Sequence, residues 1–342
     1  MSSVDALSPL AAPPQPMKAE EVGQDSASVL KVSGLGFRYG DRAALEDINL
    51  SVAEGEMFAL LGPNGSGKST LLRILATLYR PTTGKAEVEG LDIVSDPAGV
   101  RRKLGVVFQT PGLDGKLSVK ENLRFQGYLY GLSGSRLKKR IDELLERFKL
   151  RERHKDKVET LSGGLQRRVE LAKSLLHDPP ILLLDEPSTG LDLSARHTLW
   201  RTLDELREDG KLTVILTTHL MEEAERCGRV ALLDEGRLVA MDEPAALRRR
   251  VGETVITLES ENLSGLAERI SARFGIQPTL RDGQLRLNDT DASMAQRLLA
   301  EFSDDISALR LGRPTLGDVF LTLTGHDFFG EDAPNDDNGG RP

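Results

Sequence analysis

The densest chemistry lies in one short run, Gly62-Pro63-Asn64-Gly65-Ser66-Gly67-Lys68-Ser69, followed by Thr70. It fits the spacing of a loop built to hold phosphate, G-x-x-x-x-G-K-[ST]. Its glycines let the backbone curl until successive N–H groups face inward around phosphate oxygens. A helix beginning there adds the positive end of its dipole. Lys68 supplies a cation for the β- and γ-phosphates, and the Ser69 hydroxyl can ligate Mg²⁺.

A second run, Ile181-Leu182-Leu183-Leu184-Asp185-Glu186-Pro187, ends an apolar strand in adjacent carboxylates. They fall at its carboxyl end, where open α/β sheets bind ligands. Asp185 would hold Mg²⁺ directly or through water, and Glu186 would accept a proton from, or polarise, the water that attacks the γ-phosphate. A third run, Leu161-Ser162-Gly163-Gly164-Leu165-Gln166, stands just ahead of a helix. It makes a second anion-binding nest. One nucleotide with two phosphate-binding ends is most simply explained by a head-to-tail dimer. Each nucleotide then lies between the Lys68 loop of one copy and the Ser162 loop of the other. Taken alone, LSGG would be a serine N-cap with glycines for a turn.

The elements that must position these groups follow from apolar spacing. From Val29, short apolar runs separated by glycine-bearing turns predict strands, the last before residue 62 leading into the Lys68 loop. The spacing in STLLRILATLYR predicts a helix directly after it. Residues 110–178 read as mostly helical. ILLLDEP and LTVILTTH read as buried strands, and VALLDEGRLVAMDEP as a hairpin. Beyond residue 250 the order strand, helix, hairpin, helix, strand matches a split βαβ, ferredoxin-like unit. The expected organisation is therefore a flexible tail at 1–28, a nucleotide-binding domain at 29–245 and an α+β accessory domain at 254–325. A disordered tail at 326–342 completes it.

Composition narrows the function classes. The net charge of −8 and 4% aromatic content argue against a nucleic-acid binder, which needs a basic face and stacking surfaces. Apolar runs are much shorter than the roughly 20 residues that a membrane helix needs. The N-terminus lacks a basic start followed by an apolar core, so it does not read as a secretory signal. The single cysteine, Cys227, reads as a small buried residue. His154, His177, His197 and His326 lack metal-ligand spacing.

Together these motifs resemble the ATP-binding cassette (ABC) ATPases, the nucleotide-binding subunits of transporters, over roughly residues 29–245. The resemblance implies a P-loop NTPase (RecA-like) α/β core with a helical signature subdomain, using ATP and Mg²⁺. It makes Gly62–Thr70 the Walker A loop, Ser162–Gly164 the signature and Asp185–Glu186 the end of the Walker B strand. It further implies that Tyr39 in FRYG stacks on adenine and that Gln109 in VVFQT senses Mg²⁺ and the attacking water. His219 in TTHL would contact the γ-phosphate, and Asp192 in STGLD would couple the two sites of the dimer. Leu193 departs from the proline that often follows that aspartate.

VVFQTPGLDGKLSVKENL and PTLGDVFLTLTG are similar to bacterial drug-, antibiotic-, lipid- and polysaccharide-exporter ATPases, including daunorubicin-resistance-type subunits. That branch implies a homodimer at the cytoplasmic face of the membrane, peripheral through a separately encoded integral membrane permease. The alternatives are a soluble ABC ATPase outside transport and an importer ATPase. The aromatic cluster Phe125, Tyr128 and Tyr130 either packs inside the helical subdomain or lines a groove for the permease.

Overall fold

The computed structural model describes residues 28–208, 212–252, 254–281, 283–288 and 292–328; the expected tails fall largely outside the described residues. The chain opens with a hairpin, β1 (Ser28–Tyr39) and β2 (Arg42–Ala53), then passes through β3 (Met57–Leu61) into α1 (Lys68–Leu75). It returns with β4 (Thr83–Val88) and β5 (Leu91–Asp92), completing an antiparallel sheet of order β2-β1-β4-β5.

After α2 (Pro97–Lys103), which Asp96 caps by accepting from the Gly99 N–H, β6 (Leu104–Val107) leads into the helical segment. This holds α3 (Val119–Leu129), α4 (Gly134–Arg147) and α5 (Gly163–Ser174). A capping box between Ser118 and Glu121 starts α3. Leu137, Ile141, Leu144 and Leu145 form the buried stripe of α4, at the spacing of one helical face.

The chain then runs through β7 (Ile181–Asp185), α6 (Leu193–Glu208), β8 (Thr213–Thr218), α7 (Met221–Ala224), β9 (Arg229–Asp234), β10 (Arg237–Asp242) and α8 (Pro244–Arg249). The central sheet has the order β10-β9-β3-β8-β7-β6, parallel from β9 to β6 with β10 antiparallel at its edge. Every residue of β3, β7 and β8 is buried. Such near-continuous apolar runs are what a sheet covered on both faces requires. Alternation divides them: Phe58, Leu60, Ile181, Leu183 and Ile215 join one core, while Ala59, Leu61, Leu182, Leu184, Val214 and Leu216 join the other. The carboxyl ends of β3, β7 and β8 thus converge, and the residues that follow them make the site.

The C-terminal unit comprises β11 (Val255–Glu259), α9 (Leu263–Phe274), β12 (Thr279–Arg281), β13 (Gln284–Leu287), α10 (Ala292–Phe302) and β14 (Ala308–Gly312). Its sheet is antiparallel in the order β12-β13-β11-β14, the split βαβ arrangement, with its own apolar core. The last helix, α11 (Leu316–Thr324), departs from the expected boundary. Its Leu316, Val319 and Phe320 join the core that contains Leu247 and Val251, not that of the C-terminal sheet. Asp318 pairs with Arg286 of β13 at 3.0 Å, so the helix links the two units. The PTLGDVF segment therefore belongs by packing to the nucleotide-binding core.

Residues 326–328, which fall in the expected C-terminal tail, are held against the core. Phe328 is buried against Phe320, with ring centroids 4.9 Å apart, and His326 Nε2 lies 2.8 Å from Asp234 Oδ2. The buried Phe328 ring, packed on Phe320, holds this segment down despite its polar neighbours. At the other end, Ser28 already opens β1.

The aromatic cluster divides. Phe125 and Tyr128 are each 53% exposed and meet edge to face, whereas Tyr130 stacks on His177 at 3.7 Å. Among the described residues, no helix is long and apolar enough to cross a membrane.

Candidate active site

The Lys68 loop joins β3 to α1. Gly62 leaves β3 where a Cβ would lie 2.3 Å from the Leu233 carbonyl oxygen, so only glycine lets the loop cross β9 this closely. Gly67 has φ of 99°, a left-handed conformation that glycine adopts without strain, and it precedes the first turn of α1. Lys68 is 4% exposed, and its Nζ donates to the carbonyls of Gly62 and Pro63, each at 2.8 Å. Burial pulls the Lys68 ammonium below its ordinary pKa, while the carboxylates of Glu186 and Asp185 oppose that shift. The cation is thus poorly hydrated and turned towards anionic groups. Ser66 is also buried, and its Oγ is without a partner in the protein.

The acidic pair closes the opposite side. Ser69 Oγ donates to Asp185 Oδ1 at 2.8 Å, and Thr217 Oγ1 donates to the same oxygen at 2.7 Å. Asp185 Oδ2 is buried with no hydrogen-bond partner. A buried carboxylate oxygen left unpaired is costly, and a hydroxyl beside it supplies the oxygen chemistry that Mg²⁺ takes. Ser69 and Asp185 therefore fit a Mg²⁺ ion that completes its shell with phosphate and water. Among the described residues, no cluster of three or more His, Cys, Asp or Glu could hold a metal unaided.

Glu186 has the left-handed φ of 45°, unusual for a non-glycine residue. Three groups hold it there. Its N–H donates to Thr217 Oγ1 at 2.9 Å, and its Oε2 accepts from Thr189 Oγ1 at 3.1 Å and Gln109 Nε2 at 3.2 Å. His219 Nδ1 lies 3.4 Å from the same Oε2. The carboxylate is 8% exposed and reaches the cleft.

Gln109 stands on the loop after β6, and α5 grips both sides of that loop. Arg167 Nη1 donates to the Phe108 carbonyl at 3.1 Å, and Glu170 Oε1 accepts from the Gly112 N–H at 2.9 Å. Arg167 and Glu170 form a buried ion pair at 2.9 Å. Burial pushes the Glu170 carboxyl above its ordinary pKa, against the pull of Arg167.

These elements enclose a cleft of about 670 Å³ lined by Tyr39, Asn64, Gly65, Gly67, Lys68, Ser69, Thr70, Gln109 and Glu186, with Glu235 and Gly236 of the β9–β10 turn. Tyr39 is 45% exposed at the mouth, its hydroxyl 3.3 Å from Thr70 Oγ1 and its ring edge-on to Phe37. The remaining expected residues lie elsewhere. Ser162, Gly164 and Asp192 line a separate cavity, and Gly163 is exposed at the start of α5. Ser162 is the N-cap residue of α5, yet its hydroxyl makes no capping bond. Asp192 Oδ1 accepts from the Ala195 N–H at 2.8 Å, at the start of α6.

Sequence reading missed Thr217, Thr189, Arg167 and Glu170. The threonines are ordinary strand and turn residues by type, and a charged pair three apart on a helix reads as a solvated face. The signal available was position, since Thr217 stands near the end of an apolar strand, two residues before His219.

Comparison with known proteins agrees with this geometry. The family model described as ABC transporter matches residues 45–189. The chain is 38% identical over 307 residues to daunorubicin resistance ATP-binding protein DrrA3 of Streptomyces coeruleorubidus, covering 88% of this chain and 97% of that protein. It is 37% identical over 322 residues to Nod factor export ATP-binding protein I of Ralstonia nicotianae, covering 89% of this chain and 96% of that protein. Among solved structures, a dimeric ATP-binding cassette in a post-hydrolysis state, bound to ADP and Pi, aligns with a TM-score of 0.57 and 32% identity. That alignment covers 63% of this chain and 98% of that one. With the Lys68 loop, the Asp185–Glu186 strand end and the Ser162 helix all in place, the chain belongs to the ATP-binding subunits of ABC transporters and is an ATPase.

Proposed function

We propose that this chain energises a membrane exporter, as two copies that clamp ATP between them and drive a separately encoded permease. Lys68 and the N–H groups of Gly65–Ser69 hold the β- and γ-phosphates, and Tyr39 packs against the adenine. Ser69 and Asp185 would hold Mg²⁺, with Gln109 at its edge; the ion neutralises charge that develops on the phosphates. Glu186 takes a proton from the attacking water. Gln109 and His219, both at its Oε2, orient that water and the γ-phosphate.

Ser162, Gly163 and Gly164 act on the nucleotide of the other copy, and Asp192 meets that copy across the same face. The observation that carries this reading is the division of the site. The Lys68 cleft lacks the α5 terminus, whose serine hydroxyl makes no capping bond. Binding of ATP completes both sites, and loss of the γ-phosphate releases them, a two-state element biased by ligand.

The permease is the natural recipient of the motion. A groove of about 300 Å³ lies against the Gln109 loop, lined by Phe108, Gly112, Gln126, Tyr130, Glu170 and His177. The exposed Phe125, Tyr128 and Leu129 follow on α3, and they suit an apolar segment of a membrane partner. The similarity to a drug-resistance and a Nod factor export subunit supports the export direction. On this reading the chain works at the cytoplasmic face, peripheral through the permease.

The test is co-expression with a candidate multi-span permease. The expected result is co-purification from detergent and vesicle ATPase activity that Lys68→Ala abolishes while the complex persists. A chain that never associates with that protein, or hydrolysis that survives Lys68→Ala, would refute the proposal.

A further inference from the structure

One buried carboxylate has no part in the chemistry above. Glu223 on α7 is 3% exposed. Its two oxygens are shared between two loops: Oε1 accepts from Ser188 Oγ, and Oε2 accepts from Thr218 Oγ1 at 2.7 Å. Ser188 and Thr218 are buried too, at 1% and 2% exposure. Ser188 lies in the stretch from Glu186 to Asp192, whereas Thr218 directly precedes His219. Thr218 Oγ1 also accepts from the Leu220 N–H at 2.9 Å, fixing the chain on the far side of the histidine.

The end of β8 is therefore tied on both faces. Thr217 bonds Asp185 and the Glu186 N–H, and Thr218, pointing the other way, bonds Glu223. A buried carboxylate is tolerated only while its oxygens are satisfied. Hydroxyl donors on short side chains allow little relative displacement before a bond is lost. The Ser188 and Thr218 loops can thus shift together at small cost, and separately only by stranding a carboxylate oxygen.

We infer that Glu223 is a positioning residue that makes the His219 loop and the Ser188–Asp192 loop move as one unit. The presence of a γ-phosphate at His219 is thereby passed to Asp192 on the face offered to the second copy. This rests on the ATP-sandwich reading above. Glu223 does not line the nucleotide cleft, so its loss should separate nucleotide affinity from dimerisation.

The experiment uses the full chain carrying Glu186→Gln, which should retain ATP, with dimerisation followed by analytical ultracentrifugation. Adding Glu223→Gln should raise the ATP concentration for half-maximal dimerisation about tenfold, within the usual range of coupling between sites. Affinity of the dilute protomer for a fluorescent ATP analogue should stay within about twofold, the size of effect expected where no contact is lost. Ser188→Ala and Thr218→Val should each reproduce most of the loss, the double variant should add little to it, and Thr218→Ser should restore dimerisation. Ser188→Ala, which alters no charge, carries the test if Glu223→Gln does not fold.

If Glu186→Gln dimerises normally with or without Glu223→Gln, or if the Ser188 and Thr218 effects multiply, the inference is overturned and the sandwich stands. If Glu186→Gln alone never dimerises with ATP, the sandwich itself fails.

Discussion

Thr217→Val is the sharpest perturbation of the catalytic geometry. The replacement keeps the shape of a fully buried side chain and removes one hydroxyl. That hydroxyl donates to Asp185 Oδ1 at 2.7 Å and accepts from the Glu186 N–H at 2.9 Å. The first bond is to a carboxylate, worth about 1.5–3 kcal/mol, and the second leaves a buried N–H without an acceptor, costing about 1–3 kcal/mol. Because one atom makes both bonds, the losses overlap, and about 2–4 kcal/mol of stability should go. That corresponds to a fall in Tm of about 5–10 °C. The effect on turnover should be larger than stability alone implies. Glu186 sits at φ of 45°, and its N–H bond helps keep it there. A displacement of about 1 Å at a reacting group can cost about a hundredfold in rate. Phosphate release against ATP concentration should therefore show kcat reduced about a hundredfold, with KM little changed because Lys68 and its loop are untouched. Thr217→Ser keeps the hydroxyl and should keep most of kcat. A folded Thr217→Val enzyme at wild-type kcat, or Thr217→Ser as impaired as Thr217→Val, refutes the reasoning.

Two further outcomes follow from titratable groups. His326 is raised above its ordinary pKa, chiefly by its hydrogen bond to Asp234, with Glu235 adding to the effect and the Phe320 ring packed beside it. A raised histidine stabilises the fold fully below the unfolded value of about 6.5 and loses that contribution as pH rises through its folded value. The imidazole is half exposed, so the effect is small. Calorimetry of wild type against His326→Ala should show a Tm gap at pH 5.5 that closes by pH 8.5, and a pH-independent gap would exclude this role. Cys227 is 5% exposed and burial pushes its thiol up to about 12. Only about one part in ten thousand is thiolate at pH 8, so a maleimide should label native protein far more slowly than urea-unfolded protein. Equal rates would contradict the burial.

What the sequence made legible was chemistry that must be written in particular residue types at fixed spacing. The Lys68 loop needs glycine at Gly62, where a Cβ would strike β9, and at Gly67, where it would strike β2, and β7 needs an unbroken apolar run because both its faces are covered. What it hid were contacts between segments far apart in the chain, made by residues whose types suit many places. Thr217 is 32 residues from Asp185, and Arg167 is 59 from Phe108. Neither distance leaves any local periodicity to read.

The boundary of the C-terminal unit shows the same limit from the side of packing. PTLGDVFLTLTG follows β14 directly, and its helical signals are local: the Thr315–Asp318 capping box and Gly325 at the C-cap with φ of 80°. Such signals fix where a helix starts and stops, but not which core takes its apolar face. That was decided by fit, with Phe320 and Phe328 filling space beside Leu247 and Val251, and by Arg286 of β13 reaching Asp318. The result joins the two units through a single helix, and the same C-terminal stretch places His326 on Asp234. Asp234 adjoins Glu235 and Gly236, which line the nucleotide cleft, and the Gly236 N–H donates to the Ser66 carbonyl of the Lys68 loop at 3.1 Å. The C-terminal unit is thus connected to the phosphate-binding loop through a short chain of named contacts rather than by a linker alone.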